Sequence, residues 1–191
     1  MTSFTTHTIE SAPAGSKPIL TAAKQSLGFV PNLYGVLAES PAMLAAYKSL
    51  GGLFDTQSSF NATERQIVLL ATSYDNECHY CMAAHTTLAG MQAVPNDVVQ
   101  AVRNGEQIAD PRLEALRSFT IKVVRDRGWV SKGDTQAFLD AGFTRAQLLE
   151  VILGVGMKTL SNYVNHVACI PLDDAFKASA WTSPTPSHTC N

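Results

Sequence analysis

Charge is scarce in this chain of 191 residues: 16% are Asp, Glu, Lys or Arg, against 46% hydrophobic. The formal net charge is −2. A balance this close to neutral gives no electrostatic pull toward nucleic acid or an anionic bilayer. Aromatic residues reach only 8% and are not interleaved with basic ones, so no nucleic-acid motif emerges. No apolar run reaches the roughly 20 residues that span a membrane. Residues 1–17 lack a basic start followed by an apolar stretch, so no secretory signal is expected and a reducing cytoplasm is the expected compartment. Cysteine is sparse too, with 4 in the chain, too few for a disulfide scaffold at this length. In a reducing compartment a close cysteine pair points to catalysis or metal binding instead.

Alternating strand patterns are also missing. Apolar residues recur at helical spacing, as in Ile67, Leu70, Ala71 and Tyr74, and the punctuation between them is strong. Ser40-Pro41 reads as an N-cap with proline in the first turn, and Gly51-Gly52 as the close of that helix. Asn61 to Glu64 and Thr63 to Gln66 form overlapping capping-box patterns ahead of an apolar run. Asp110-Pro111 opens a helix expected to stop at Gly128, and Ser131 and Gly142 bracket a short one. Thr144 to Gln147 is a further capping box. The prediction is an all-α multi-helix bundle of about eight or more helices. A single domain is expected over 17–181, between a flexible segment, 1–16, and a flexible tail, 182–191, rich in Ser, Thr and Pro.

The chemistry concentrates between Asn76 and His85, in Cys78-His79-Tyr80-Cys81 followed by His85. At about 100° per residue, Cys78 and Cys81 lie about 60° apart on a helix, and Cys81 and His85 about 40° apart. All three share one stripe, with Cys78 in or before the first turn. A helix N-terminus stabilises a thiolate, which favours Cys78 as the lower-pKa thiol. His85, one turn after Cys81, favours Cys81 instead, taking its proton directly or through water. Two thiols so spaced can close a disulfide and be reset by another thiol. Zinc is the rival reading: Cys78, Cys81, His85 and His79 are acceptable ligands, but His79 lies off the stripe and no second pair exists.

A second polar group follows Thr144. Leu148, Ile152, Val155, Thr159, Asn162 and His166 repeat at helical spacing, which predicts Asn162 and His166 on a core-facing stripe. Polar groups there need partners or a cavity to line. Either they form a structural network or His166 faces the cysteines as a base or orienting group. Cys169 reads as a small packed residue, Cys190 as incidental, and His7 and His188 as bystanders in the tails. Tyr34, Met43, Tyr47 and Leu50 read either as the lining of a substrate pocket or as core or subunit interface, and the second reading is favoured.

With these segments the chain resembles the AhpD-like alkylhydroperoxidase, or carboxymuconolactone-decarboxylase-type, superfamily, in its peroxidase-related branch. Leu27 to Tyr34, Thr63 to Ile67, Asn76 to His85 and Lys158 to His166 carry the likeness, over roughly 17–180. The resemblance implies a helical fold assembled into trimers or hexamers. It also implies a peroxide substrate, an external thiol reductant and no cofactor. Cys81 is then the attacking thiol and Cys78 the resolving one. The family's relay glutamate stands twelve residues before the first cysteine, where this chain has Gln66. Glutamine can orient water but accepts no proton at neutral pH. Glu64 lies about 200° away around a helix, and Glu64 and Gln66 also fit as capping-box members. The expectation is a thiol peroxidase with Cys78, Cys81 and His85, served by Gln66, Glu64, Asn162 or His166 as water-orienting or relay groups. The alternative is a non-catalytic oligomer that senses redox state or holds zinc.

Overall fold

The structure, a computed structural model, describes residues 4–184. Among them are nine α-helices, one short 3₁₀ turn and no strand. The helices are α1 (Lys17–Leu27), α2 (Asn32–Leu37), α3 (Pro41–Gln57), α4 (Ala62–Asp75) and α5 (His79–Met91). After them come α6 (Asn96–Asn104), α7 (Pro111–Arg125), α8 (Lys132–Asp140) and α9 (Arg145–Ala168), and the 3₁₀ turn covers Asp174–Ser179. The all-helical expectation holds. No helix of the described residues is long and apolar enough to cross a membrane.

The start signals act as read. Ser40 caps α3, and Asp110 caps α7 by accepting from the N–H groups of Arg112 and Leu113. Asn61 with Glu64, Ser131 with Asp134, and Thr144 with Gln147 close reciprocal capping boxes. Of the two overlapping patterns, Asn61 to Glu64 is the one that forms, so Gln66 is free for other work. Gly51-Gly52 does not end α3, which continues to Gln57. Its extra turns bury Phe54, and that burial outweighs the modest helix penalty of two glycines.

α4 is the centre of the bundle, packed by α5, α6, α7 and α9. Its residues Gln66 to Ser73 are all buried, as befits a helix covered on every side. α9 approaches closely at Gly154, where a Cβ would stand 2.7 Å from Val68 Cγ1 and 2.9 Å from the Phe54 ring. α5 separates two apolar clusters. Met82 and Ala89 join the larger one, with Phe54, Val68, Leu116 and Phe138. Cys78, Tyr80, Cys81 and Ala84 join the smaller one, with Leu20, Leu33, Leu44, Ile170 and Phe176.

The N-terminal segment departs from the expectation of flexibility over the described residues 4–16. His7 N donates to the Gly35 carbonyl at 3.1 Å, and a Cβ on Gly35 would meet Thr6 at 2.8 Å. Ala12 and Ser16 are buried, and Ser16 Oγ donates to the Ala38 carbonyl at 2.8 Å. His7 Nε2 sits 2.7 Å from Glu39, so it anchors this segment and is no bystander. The chain needs these residues to roof the smaller cluster, whose helices α1 and α2 are short. His188, Cys190 and the tail beyond 184 lie outside the described residues.

Candidate active site

α4 ends and α5 begins within three residues. Asn76 is the C-cap, Glu77 adopts φ 53°, and Cys78 is the N-cap of α5. The N–H of Cys78 reaches back to the Ser73 carbonyl at 2.9 Å, the six-to-one bond of a Schellman turn. The reversal seats both cysteines in the smaller cluster, each only 1% exposed.

The two thiols differ sharply. Burial opposes ionisation of Cys81, but hydrogen bonding from Cys78, the charge of Lys158, and hydrogen bonds from Ser161 and Asn162 outweigh it. They bring Cys81 down to about 6. Hydrogen bonding to Cys81 and burial push Cys78 well up. The pair therefore shares one proton, held on Cys78, with the negative charge on Cys81. The helix-terminus argument for Cys78 fails because the strongest positive charge nearby is a buried side chain that serves Cys81. Ser161 Oγ and Asn165 Nδ2 each lie 3.6 Å from Cys81 Sγ.

Lys158 is the residue that the sequence reading missed. It projects from α9 into the interior at 1% exposure. Its Nζ lies 2.7 Å from His85 Nε2. Burial disfavours its charge, but Cys81, Tyr47 and Cys78 more than compensate and hold its pKa above the ordinary lysine value. An ammonium only donates, so His85 Nε2 is the acceptor and the imidazole proton sits on Nδ1. Gln66 Oε1, 3.1 Å from Nδ1, accepts that proton, and Gln66 Nε2 donates onward to Gln92 at 3.1 Å. Burial and the Lys158 charge drive the His85 pKa well down, so the ring is neutral.

The row Gln92–Gln66–His85–Lys158 ends on the thiolate, so Lys158 stands between His85 and Cys81, where a direct or water-mediated contact was expected. His85 acts through Lys158. Both its nitrogens are engaged, so it joins no zinc-ligand set with the cysteines. Among the described residues no group of three or more His, Cys, Asp or Glu could hold a metal ion.

The remaining candidates divide. Gln66 and Asn162 reach the centre. Asn162 accepts from Asn76 Nδ2 at 3.0 Å, lies 3.5 Å from Ser73 Oγ, and hydrogen-bonds Cys81. Tyr47, read as core or interface, hydrogen-bonds Ser161 and lies within the fields of Lys158 and Cys81. Glu64 does not reach the centre. It is buried in its capping box and paired with Arg112, which stacks 4.0 Å over Phe143.

His166 is exposed, its ring tilted beside Tyr163, because the buried stripe of α9 runs through Val151, Gly154, Lys158, Ser161 and Asn165. The expected stripe was one residue out, about 100° around the helix. Cys169 is not packed away but exposed at the C-cap, with φ 45°.

A cavity of about 490 Å³ opens beside the pair. Cys78 lines it and Cys81 does not. Asn165, His166 and Cys169 form one side, and Ile170, Leu172 and Trp181 the apolar side. Tyr80 also lines it, and its hydroxyl donates to Asp173. Asp173 also accepts from Asn32 N at 3.0 Å, tying the segment after α9 to α2.

Residues 41–120, which span the cysteine pair but not α9, match the profile of the carboxymuconolactone decarboxylase family. No curated protein sequence matches significantly. Among solved structures, the chain is similar to an uncharacterized peroxidase-related protein from Ralstonia eutropha JMP134, described as an alkylhydroperoxidase AhpD core. Its TM-score is 0.80 at 24% identity, covering 91% of this chain and 93% of that one. A peroxidase-related protein from Silicibacter sp. TM1040 gives 0.72 at 20% identity, covering 86% and 88%. A cysteine-to-alanine variant of the debrominase Bmp8, in complex with 2,3,4-tribromopyrrole, gives 0.79 at 17% identity, covering 94% and 96%. The family match covers the cysteine segment, and the solved structures share this helical fold.

Proposed function

We propose that this protein is a thiol-dependent reductase that reduces organic peroxides through a Cys78–Cys81 disulfide cycle. The observation that carries the reading is the buried Lys158 ammonium beside a proton-sharing cysteine pair, one member of which opens on a cavity. Because Cys78 meets the cavity, the order implied by the family resemblance is reversed here: Cys78 attacks and Cys81 resolves.

The steps balance as follows. The Cys78 proton passes to the Cys81 thiolate, and the Cys78 thiolate attacks the terminal peroxide oxygen. The O–O bond breaks, leaving Cys78 as a sulfenic acid. The departing alkoxide recovers the proton from Cys81. The Cys81 thiolate then attacks the Cys78 sulfur, the S–S bond forms and hydroxide leaves. At that moment Lys158 loses its counter-charge. An uncompensated buried ammonium has a depressed pKa, so Lys158 gives up the proton that turns hydroxide into water. An external thiol reduces the disulfide and restores both protons.

Substoichiometric peroxide titration tests the scheme. One equivalent should remove two titratable thiols from the wild-type chain, measured under denaturing conditions. In Cys81→Ser, a sulfenic acid should accumulate on Cys78 and be trapped by dimedone. Trapping on Cys81 in the Cys78→Ser variant, with none in Cys81→Ser, would restore the opposite order. Unchanged thiol counts in wild type would sink the reading altogether.

A halogenated aromatic is a second acceptor to test, because His79, Tyr80 and Trp181 give the cavity flat faces for a ring. There a carbon–bromine bond would be exchanged for carbon–hydrogen as the two thiols become a disulfide, and bromide and a proton would leave. Bromide release from a bromopyrrole under reducing conditions reads this directly.

A further inference from the structure

The row Gln92–Gln66–His85–Lys158 has a direction, and its inner end imposes it. An ammonium can only donate, so each partner outward turns an acceptor inward and a donor outward. His85 Nε2 accepts from Lys158 at 2.7 Å, and its Nδ1–H donates to Gln66 Oε1 at 3.1 Å. Gln66 Nε2 then donates to Gln92 Oε1 at 3.1 Å. Gln66 is 4% exposed and Gln92 lies on the surface, so the row runs from solvent to the thiolate. The end of α5 is shaped for that last bond. Gln92 is its C-cap, Ala93 adopts φ 56°, and Val94 N reaches back to the Ala89 carbonyl at 3.0 Å. This is the Schellman turn again, with a left-handed alanine where glycine would cost less.

The direction also constrains the row from outside inward. A residue at position 92 that only donates would turn the Gln66 amide over. Gln66 Nε2 would then face His85 Nδ1, and the imidazole proton would shift to Nε2. There an N–H would confront the Lys158 ammonium. Linkage is reciprocal: what the ammonium imposes on position 92, position 92 imposes on the ammonium. We propose that Gln92 is a positioning residue for the Cys81 thiolate: by accepting from Gln66 it holds the row in the direction that keeps Lys158 charged. The proposal rests on the reductase reading above for the use made of that thiolate. Gln92 acts through Gln66, His85 and Lys158 in turn. Cys81, Cys78 and Tyr47 also act on Lys158 and are the same in every variant below.

Charge and direction predict opposite orders, so two substitutions separate them. Gln92→Glu keeps an acceptor of the same length, and Gln92→Lys presents only donors. Through space alone, the added lysine would lower the Cys81 midpoint and the glutamate would raise it. Through the row, Gln92→Lys should raise the midpoint by about one pH unit, a tenfold loss of thiolate below it. Gln92→Glu should leave it in place. Thiolate absorbance against pH reads both. Nitrogen NMR of the His85 ring is the second measurement. The proton should sit on Nδ1 in wild type and Gln92→Glu, and on Nε2 in Gln92→Lys. A Gln92→Lys midpoint at or below the wild-type value overturns the proposal, and so does an equal rise in both variants. A wild-type proton on Nε2 overturns it even where Gln92→Lys does not fold. Any of these results beside a normal peroxide titration leaves the reductase reading standing. The expected midpoints in a protein whose thiol count ignores peroxide would sink that reading alone.

Discussion

The buried ammonium of Lys158 is balanced by sulfur and not by a carboxylate, and this choice sets the chemistry of its neighbours. Gln66 in place of glutamate belongs to the same design. A carboxylate there would draw a proton onto His85 and compete for the Lys158 charge. A neutral amide leaves His85 an acceptor and the whole positive charge to the thiolate. Thiolate absorbance should titrate with a midpoint near pH 6, from Cys81. In Lys158→Met the midpoint should move above the ordinary value of about 8.5, since burial then acts unopposed. An unchanged midpoint would show that Lys158 is a structural cation only. The sign for stability follows from the same shift. Cys81 is lowered in the folded chain, so the unfolded chain binds more protons between about 8.5 and 6. The stabilisation is complete above about 8.5 and is lost as pH falls through 6. His85, also lowered, acts in the same direction.

At the scale of the element, the helix starts were legible because capping is local chemistry within four residues. Asn61 with Glu64 and Thr144 with Gln147 needed no tertiary information. Glu64→Ala should therefore cost about 1–2 kcal/mol of stability in urea unfolding, through the cap and the contact with Arg112, while the thiol midpoint stays in place. A shifted midpoint would return Glu64 to the active site. What was not legible needed the fold. Gly51-Gly52 looked like a stop, yet Phe54 had a core to reach. On α9 the spacing from Leu148 to His166 was helical but belonged to the wrong face. The true face mixes Val151 and Gly154 with Lys158, Ser161 and Asn165, and a lysine between polar residues looks like a solvent-facing one. The close approach at Gly154 marks that face, but only α4 and α3 reveal what approaches it. The cysteine pair and Gln66 could be read from spacing and resemblance, whereas the cation could not.

At the scale of the whole molecule, α9 also shows an apolar stripe outward. Leu149, Ile152, Tyr163 and Val167 are exposed, and with Gly156 and Leu160 they recur at three- and four-residue steps. That is the spacing of a helix seam, and an exposed apolar stripe of this kind suits an interface. A second copy of the chain is its expected occupant, consistent with the oligomer that the family resemblance implies. Leu149→Glu with Ile152→Glu should raise the dissociation constant by about thirtyfold or more, read by sedimentation velocity. These positions are not among the residues that line the cavity, so the thiol midpoint should not move. A monomeric wild-type chain would leave the stripe without this role.

On the proposed disulfide cycle the molecule also couples electrons to protons, and Lys158 fixes the ratio. Reduction of the disulfide returns one proton to Cys78 and, if the ammonium was discharged on oxidation, a second to Lys158. Two protons for two electrons make the midpoint potential fall by about 59 mV per pH unit, against about 30 mV for one. A redox titration between neutral and mildly alkaline pH should find the steeper slope. The shallower one would mean that Lys158 keeps its charge beside the closed disulfide. With the steeper slope, a rise in pH makes the dithiol the stronger reductant, so the buried lysine would tie the protein's driving force to the acidity of its surroundings.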